Sequence, residues 1–289
     1  MELKDWSVRI AGVVVLAILT VGCSIDVRTS TSTESRPLPP QIKSWLEKDG
    51  RIAHRGGSAD FPEMSRYAYD RALEAGYQAL EITLARSADG TWFGLHDSDL
   101  DRTSGVGDVA VEDSTWAEID EHRILAAASD AGTPGHQRYL TLGEFLDAYY
   151  GKAILFLDPK RAGDHVDELL DILDALPGDA TRTVVAKQAW RAGASPWLPK
   201  ARERGYTTWR AFGQDDDFLH HHEDADLLGM SYRASPQVWK KIRSLGKPVI
   251  AHVVPDARAA NVALGKGADG LMVSGVTEVR RAVTAQAAR

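Results

Sequence analysis

Residues 79–97 read ALEITLARSADGTWFGLHD, and this stretch indicates how the chain folds. Its first half alternates apolar and polar side chains, as a β-strand does. Asp89-Gly90 is a tight-turn signal, which predicts an antiparallel hairpin appended to this strand. Glu81 lies between Leu80 and Ile82, so alternation turns its carboxylate away from both apolar neighbours. If those neighbours face a layer of helices, Glu81 faces the opposite side of the sheet.

Strand-like and helix-like stretches alternate along the rest of the chain, as in βα units around a parallel sheet. Helices are predicted at 64–75, 142–149, 165–176 and 236–245 from apolar side chains on one face and from Gly or Pro stops. We therefore expect an α/β fold, a (β/α)₈ TIM barrel, with a small insertion at about residues 98–140 after the hairpin that follows strand 2. The candidate barrel strands are Arg51–Arg55, Ala79–Leu84, Ala153–Asp158, Thr183–Lys187, Tyr206–Ala211, Asp226–Met230, Pro248–Val253 and Asp269–Val273.

Composition narrows the class of protein. The chain has 289 residues, of which 44% are hydrophobic and 26% charged, as in ordinary globular proteins. Its formal net charge is −7 and no basic stripe compensates it, which argues against nucleic acid as a partner. The sequence contains one cysteine, Cys23, so an internal disulfide is excluded.

The N-terminus is typical of an export signal. Lys4 and Arg9 precede an apolar run over residues 10–22 that is shorter than the roughly 20 residues of a membrane span. The run ends at Cys23, an arrangement that resembles a bacterial lipoprotein signal, in which the cysteine is lipidated. Simple secretion and an uncleaved anchor are the alternatives. We interpret residues 1–23 as signal or anchor, 24–41 as a Ser/Thr/Pro-rich linker, and 42–289 as an exported barrel held at the membrane.

Polar side chains follow three strand-like segments. His54-Arg55 ends the first strand, His96-Asp97 ends the hairpin, and Asp158-Pro159-Lys160 ends the third barrel strand. Active sites of such barrels lie at the carboxyl ends of the strands, where Glu81 would join them. Each residue alone is more often structural, but the combination predicts one site with imidazoles, cations and carboxylates.

This set of groups suits the cleavage of a phosphodiester, which is a small-molecule or lipid-derived substrate. One imidazole can take a proton from an attacking hydroxyl while the other protonates the leaving group. Arg55 and Lys160 can bind phosphate oxygens. A hard divalent cation, Ca²⁺ or Mg²⁺, held by Glu81 and Asp158 would neutralise the charge that develops in the transition state.

The order of these motifs resembles the glycerophosphodiester phosphodiesterase family, whose pattern is His-Arg-Gly, Pro-Glu-Asn-Thr, Glu-x-Asp, His-Asp and Glu-x-Lys. The corresponding segments here are His54-Arg55-Gly56, Pro62-Glu63-Met64-Ser65, Glu81-Ile82-Thr83, His96-Asp97 and Asp158-Pro159-Lys160. The resemblance implies metal-dependent hydrolysis to sn-glycerol 3-phosphate and an alcohol, with an acid/base pair of histidines and a cyclic intermediate. It also implies that Glu63 and Asp97 support the site.

Thr83 departs from this pattern, because the family has its second metal carboxylate there. Losing a carboxylate lowers the affinity for a cation. Two other functions therefore stay open. One is a phospholipase D- or sphingomyelinase D-type headgroup hydrolase, because Asp158 is similar to the carboxylate that sphingomyelinase D-type relatives use at this position. The other is a degenerate barrel that binds phosphodiesters without turnover, which Thr83 favours. The tract at 220–222, three consecutive histidines, is interpreted as a solvated loop rather than a metal site.

Overall fold

The computed structural model describes residues 36–48, 50–125, 135–160, 165–190 and 195–279. Eight parallel strands close into a barrel, and one further strand extends it as an antiparallel edge. The strands are β1 (Arg51–Ala53), β2 (Ala79–Arg86), β3 (Trp92–Gly94), β4 (Ile154–Asp158), β5 (Val184–Ala189), β6 (Thr207–Phe212), β7 (Leu227–Ser231), β8 (Val249–Val254) and β9 (Gly270–Val273).

The barrel closes at its first strand. Ile52 of β1 is in register with Ala79 of β2 on one side and with Met272 of β9 on the other. The predicted TIM barrel is therefore confirmed, and each predicted barrel strand lies within two residues of an observed one. The reason is that all eight strands have apolar side chains on both faces, which marks them as buried.

Helices cover the outside of the barrel and its amino-terminal end. Helix predictions at 64–75, 142–149, 165–176 and 236–245 are all confirmed within two residues. The first predicted helix begins at Arg66 rather than at Met64. There, Oγ of Ser65 accepts from the backbone of Ala68 at 3.1 Å, and Met64 has a φ of 57°, which is incompatible with a helix. The helices are α1 (Pro40–Lys48), α2 (Arg66–Glu74), α3 (Asp101–Ser104), α4 (Trp116–Asp120), α5 (Leu142–Tyr149), α6 (Val166–Asp174), α7 (Trp197–Glu203), α8 (Phe218–His221), α9 (Pro236–Arg243) and α10 (Ala257–Gly265).

The inside of the barrel is built in layers. One apolar layer is formed by inward side chains, and α1 closes it below through Trp45. Strand side chains alternate between faces, so the residue two positions further along each strand points inward again, one layer nearer the carboxyl end. Six of these next positions are polar, and they are His54, Glu81, Asp158, Lys187, His252 and Ser274. The apolar layer below them includes Ile52, Ala79, Phe156, Val185, Trp209, Leu227, Ile250 and Met272.

The predicted hairpin is present beside the barrel mouth. β3 pairs antiparallel with the end of β2, with Leu84 opposite Gly94. The segment that follows, within the predicted insertion, folds against the hairpin and forms a small apolar core separate from that of the barrel. This hairpin core consists of Ala85, Phe93, Leu95, Leu100, Val111, Ile119, Ile124 and Tyr139.

The folded domain includes residues that the sequence assigns to the linker. The guanidinium of Arg36 donates to Oδ2 of buried Asp226 at 2.7 Å, and α1 already begins at Pro40. The folded part thus includes residues before Ile42. Residues 1–35, with Cys23 and most of the predicted linker, lie outside the described residues. Within the described ranges, no helix has both the length and the apolar character needed to cross a membrane.

Candidate active site

His54 is buried immediately after β1, at the level of Glu81 on the neighbouring strand. Its Nδ1 lies 3.3 Å from Oγ of Ser58. Burial lowers the pKa of His54 to about 3, although the carboxylate of Glu81 opposes the shift and the nearby Arg55 and Lys187 add to it. His54 is therefore a neutral imidazole at pH 7, in the form that can accept a proton.

Arg55 follows His54 in a left-handed backbone conformation, with a φ of 52°. This turn directs its backbone N–H to Oε2 of Glu81, at 2.9 Å, while its side chain lies 3.3 Å from Glu63. Strain of this kind in a non-glycine residue is concentrated at functional sites. Among the described residues, the buried Nε of Arg55 has no hydrogen-bond partner, which leaves a donor for an anion.

His96 follows β3 and is brought back to the barrel by the hairpin, because the neighbouring Leu95 donates to the backbone of Thr83 at 3.0 Å. Its Nδ1 lies 2.7 Å from Oδ1 of Asp97, and Nζ of Lys160 is in hydrogen-bond contact with its Nε2. A neutral ring with its proton on Nδ1 satisfies both contacts. Partial burial lowers the pKa of His96, and the hydrogen bond to Asp97 opposes that shift.

A chain of ion pairs links the two histidine-bearing segments. Arg102, in α3, donates through Nε to Asp97 at 2.6 Å and through its two terminal nitrogens to Glu63 at 2.7 and 3.0 Å. Glu63 in turn contacts Arg55. The sequence motifs assign no role to Arg102, although it lies only five residues after Asp97.

The two predicted metal ligands hold a lysine between them. Nζ of Lys187 donates to Oε1 of Glu81 at 2.8 Å and to Oδ2 of Asp158 at 2.7 Å. Burial alone would lower the pKa of Lys187, but the adjacent Asp158 and Glu81 outweigh it and raise that pKa. Burial likewise would raise the pKa of Glu81, yet Lys187 and His54 lower it to about 2. The cluster is therefore a charged ammonium with ionised Glu81.

Lys187 was missed by the sequence analysis. Its signal is a single lysine in the apolar strand β5, two positions beyond the inward-facing Val185. Alternation gives it the same inward direction as Glu81 and Asp158. What the pattern lacks is the register between strands, which decides whether the three groups meet.

The donor set does not fit the divalent cation that the sequence analysis expects. Thr83, at the position expected for the second metal carboxylate, donates its hydroxyl to Oε1 of Glu81 at 3.1 Å. In the part of the chain that the structure describes, no group of three or more His, Cys, Asp or Glu side chains is arranged to hold a metal ion. Ca²⁺ takes six to eight oxygen ligands and Mg²⁺ needs six, whereas two carboxylates remain here and both already bind an ammonium.

The structure also places His252 and the histidine tract at 220–222, and His252 is electrostatically coupled to His54. His252, on β8, has its Nε2 2.8 Å from the carbonyl of Phe212, and burial lowers the pKa of His252 to about 4. His220 and His221 are exposed in α8, and the ring of His221 stacks on Trp190 at 3.7 Å. The tract is largely exposed to solvent as predicted, but His220 and His221 lie in a short helix and not in a loop.

The predicted site residues thus lie at one end of the barrel. His54, Arg55, Glu81, Thr83 and Asp158 are joined directly or through Lys187, and the hairpin side adds the remaining predicted residues, His96, Asp97, Lys160 and Glu63. Arg55 is electrostatically coupled to both His54 and His96. Two imidazoles, several cations and a cluster of carboxylates therefore surround one mouth.

Comparison with known proteins agrees with this arrangement. Residues 54–169 match the model of the Glycerophosphoryl diester phosphodiesterase family. A "Probable glycerophosphodiester phosphodiesterase 1" of Mycobacterium tuberculosis (strain CDC 1551 / Oshkosh) is 34% identical over an alignment of 169 positions, which covers 51% of this chain and 61% of that protein. The chain thus spans less than two thirds of that relative's length.

Two solved structures share the fold. A putative glycerophosphoryl diester phosphodiesterase from Silicibacter pomeroyi has a TM-score of 0.69 at 19% identity, over 85% of this chain and 98% of that one. A phosphodiesterase from Oleispira antarctica, solved in complex with the product sn-glycerol-3-phosphate, has a TM-score of 0.68 at 21% identity, over 84% and 99%. The matched segment and the curated relative support a relationship to the glycerophosphodiester phosphodiesterase family, and the solved structures show that the chain shares its barrel fold.

Proposed function

We propose that this protein is a phosphodiester hydrolase that converts glycerophosphodiesters to sn-glycerol 3-phosphate and an alcohol. The observation that carries the proposal is the convergence of His54 and His96 on one barrel mouth, with Arg55 and Lys160 beside them. Similarity to the glycerophosphodiester phosphodiesterase family supports the same reaction class, and the structurally similar Oleispira antarctica phosphodiesterase was solved with the product sn-glycerol-3-phosphate.

In the first step, a hydroxyl of the substrate's glycerol attacks phosphorus. His54, neutral because it is buried, accepts the hydroxyl proton while the new O–P bond forms. The bond to the leaving alcohol breaks, and His96 donates a proton to that oxygen. The products of this step are the free alcohol and a cyclic phosphodiester.

Binding of the substrate prepares His96 for this role. In the free site, Lys160 contacts Nε2 of His96 and both cannot be fully protonated there. A phosphate anion attracts Lys160 and favours a proton on His96, whose Nδ1 is already held by Asp97. Arg55 binds the remaining phosphate oxygens, since its guanidinium forms paired hydrogen bonds with phosphate.

In the second step, water opens the cyclic phosphodiester with the roles of the histidines reversed. His96, now neutral, takes a proton from water as the hydroxyl oxygen bonds to phosphorus, and protonated His54 returns its proton to the glycerol oxygen. The net reaction consumes one water and regenerates both rings. Each proton transfer contributes roughly 10²–10⁴-fold to the rate.

The test is product analysis with the purified full chain. Incubation with glycerophosphocholine is expected to release glycerol 3-phosphate, and His54→Ala and His96→Ala are each expected to abolish release. Release of choline from a lysophospholipid, with no reaction of glycerophosphocholine, would instead support the phospholipase D-type alternative. Binding without turnover would support the degenerate barrel. Parallel assays with added Ca²⁺, Mg²⁺ or EDTA examine the predicted cofactor, and exposed His220→Ala serves as control.

We also propose that the enzyme is exported and attached to the membrane through a lipid on Cys23. The support is the sequence pattern of residues 1–23. In a bacterial host, wild-type protein should sediment with membranes and Cys23→Ser should not; equal distribution of the two would contradict lipid attachment.

A further inference from the structure

The buried ammonium of Lys187 lies where the two carboxylates expected to hold a metal come together. Nζ is 2.8 Å from Glu81 and 2.7 Å from Asp158, and the Lys187 side chain is only 8% exposed. Enzymes of this family commonly use a divalent metal ion. Here the same carboxylates are bound by a cation that belongs to the chain itself.

The change at Thr83 accompanies this lysine. The family pattern has three carboxylates around a cation of charge two, which leaves a net charge of minus one. This chain has Glu81 and Asp158 around a cation of charge one, which also leaves minus one. With Thr83 in place of a carboxylate, the cluster around the ammonium therefore keeps the same net charge as the family's metal site.

The hydrogen bonds around Glu81 leave little room for a metal ion. Oε1 accepts from Lys187 and from the hydroxyl of Thr83, and Oε2 accepts from the backbone N–H of Arg55. A Ca²⁺ or Mg²⁺ ion would have to approach these oxygens to about 2.0–2.6 Å and displace the donors. It would also place a dication beside a buried ammonium deprived of its partners.

Lys187 is also held in place by the barrel. It lies on β5 in register with Trp209, whose ring is 5.9 Å from Nζ. Its carbonyl accepts from Nε1 of Trp197 at 3.0 Å. These contacts fix both ends of the residue, so its charge is preorganised at the mouth of the barrel.

We infer that the Lys187 ammonium replaces the divalent cation, so that the hydrolysis proposed above, on which this inference rests, proceeds without a bound metal. Lys187 holds Glu81 and Asp158 in position and supplies fixed positive charge beside the reacting phosphate. An ammonium has three donors, and with two of them on the carboxylates the third is available to a phosphate oxygen.

The first test uses the wild-type full chain. After exhaustive treatment with EDTA, hydrolysis of glycerophosphocholine should be unchanged, and added Ca²⁺ or Mg²⁺ should not raise it. Elemental analysis should find no stoichiometric metal, and calorimetric titration with either ion alone should show no binding. Activity lost to EDTA and restored by a divalent ion, or binding of one ion per chain, would overturn the inference.

The second test exchanges the two kinds of cation. Lys187→Met keeps the length of the side chain without its charge and should lower kcat/KM by about 10²-fold or more. The double variant Lys187→Met/Thr83→Asp should bind Ca²⁺ or Mg²⁺ in calorimetry and recover activity that EDTA then removes. Lys200→Met, at an exposed lysine, should match wild type in both measurements.

The outcomes separate this inference from the proposed function. If wild-type protein hydrolyses no phosphodiester under any condition, the proposed function fails, and the metal titrations alone decide whether Lys187 has replaced the ion. If wild-type protein is active only with a divalent ion, the function stands and the inference fails. Thermal unfolding of each variant shows whether a loss of activity reflects a loss of fold.

Discussion

Asp97 contacts His96 and Arg102 at the same time: its Oδ1 lies 2.7 Å from Nδ1 of the His96 ring, and its Oδ2 accepts a hydrogen bond from Arg102. The carboxylate thereby fixes the ring orientation and stabilises the protonated form that donates to the leaving group. Asp97→Asn keeps the shape but removes the charge, and we expect kcat to fall by about 10²-fold. The alkaline limb of the pH–rate profile should also move to lower pH, because His96 must be protonated to donate and loses the partner that raises its pKa. Asp113→Asn, at an exposed carboxylate, should leave both unchanged.

Arg102 is a positioning residue for both sides of the mouth. Arg102→Gln removes its ion pairs with Asp97 and Glu63, so both His96 and Arg55 lose support. We expect kcat to fall and KM to rise, each by about tenfold, on the scale of a lost charge-assisted hydrogen bond. Arg102→Lys, which keeps the charge, should raise KM less than Arg102→Gln does. A change in thermal stability without any change in kcat or KM would show that Arg102 is only structural.

The buried imidazole of His54 predicts a loss of stability in acid. Its pKa is about 3 in the folded protein and near 6.5 in the unfolded chain, so the unfolded state binds an extra proton between these values. The stabilisation is complete above pH 6.5 and is lost as pH falls towards 3, which amounts to about 2 kcal/mol at pH 5. Urea unfolding at pH 7.5 and 5 measures this difference. His54→Gln should reduce it, and an equal loss in the variant would refute the assignment.

The ion pair of Arg36 predicts where a stable domain begins. Asp226 is buried and also accepts from Arg202 and from the backbone of Thr208. A chain that begins at Ile42 loses Arg36 and leaves Asp226 with fewer donors, so we expect a free energy of unfolding lower by about 1–3 kcal/mol. The point variant Arg36→Gln should reproduce most of this loss. Arg71→Gln, at an exposed ion pair within α2, should cost little.

The fold was predictable because the barrel strands are apolar on both faces and are separated by clear stops. The direction of Glu81 was predictable too: Leu80 and Ile82 do face the helices, as part of the outer core. The start of α2 was not, since Met64 continues the apolar pattern although its backbone is left-handed. Periodicity reports which face a side chain would occupy and carries no information about a strained turn.

The site was predictable where motifs follow strand ends, as at His54 and Asp158. Lys187 and Arg102 could not be assigned, because their roles depend on which strand and which loop meet them. Thr83 is in register with Asp158, and β5 then aligns its own residues with β4, so Lys187 reaches both carboxylates only through the order of three strands. A single strand pattern does not contain that information.

The hairpin core separates the position of one catalytic group from the stability of the barrel. His54 is carried by the barrel, whereas His96 follows β3, whose Phe93 packs with Leu100, Ile119 and Tyr139 in the hairpin core. Substitutions in this small core can therefore misplace one proton donor while the parent scaffold stays intact. Inactive variants with normal melting temperatures should cluster there, and the same independence gives evolution a place to retune leaving-group chemistry at little risk to folding.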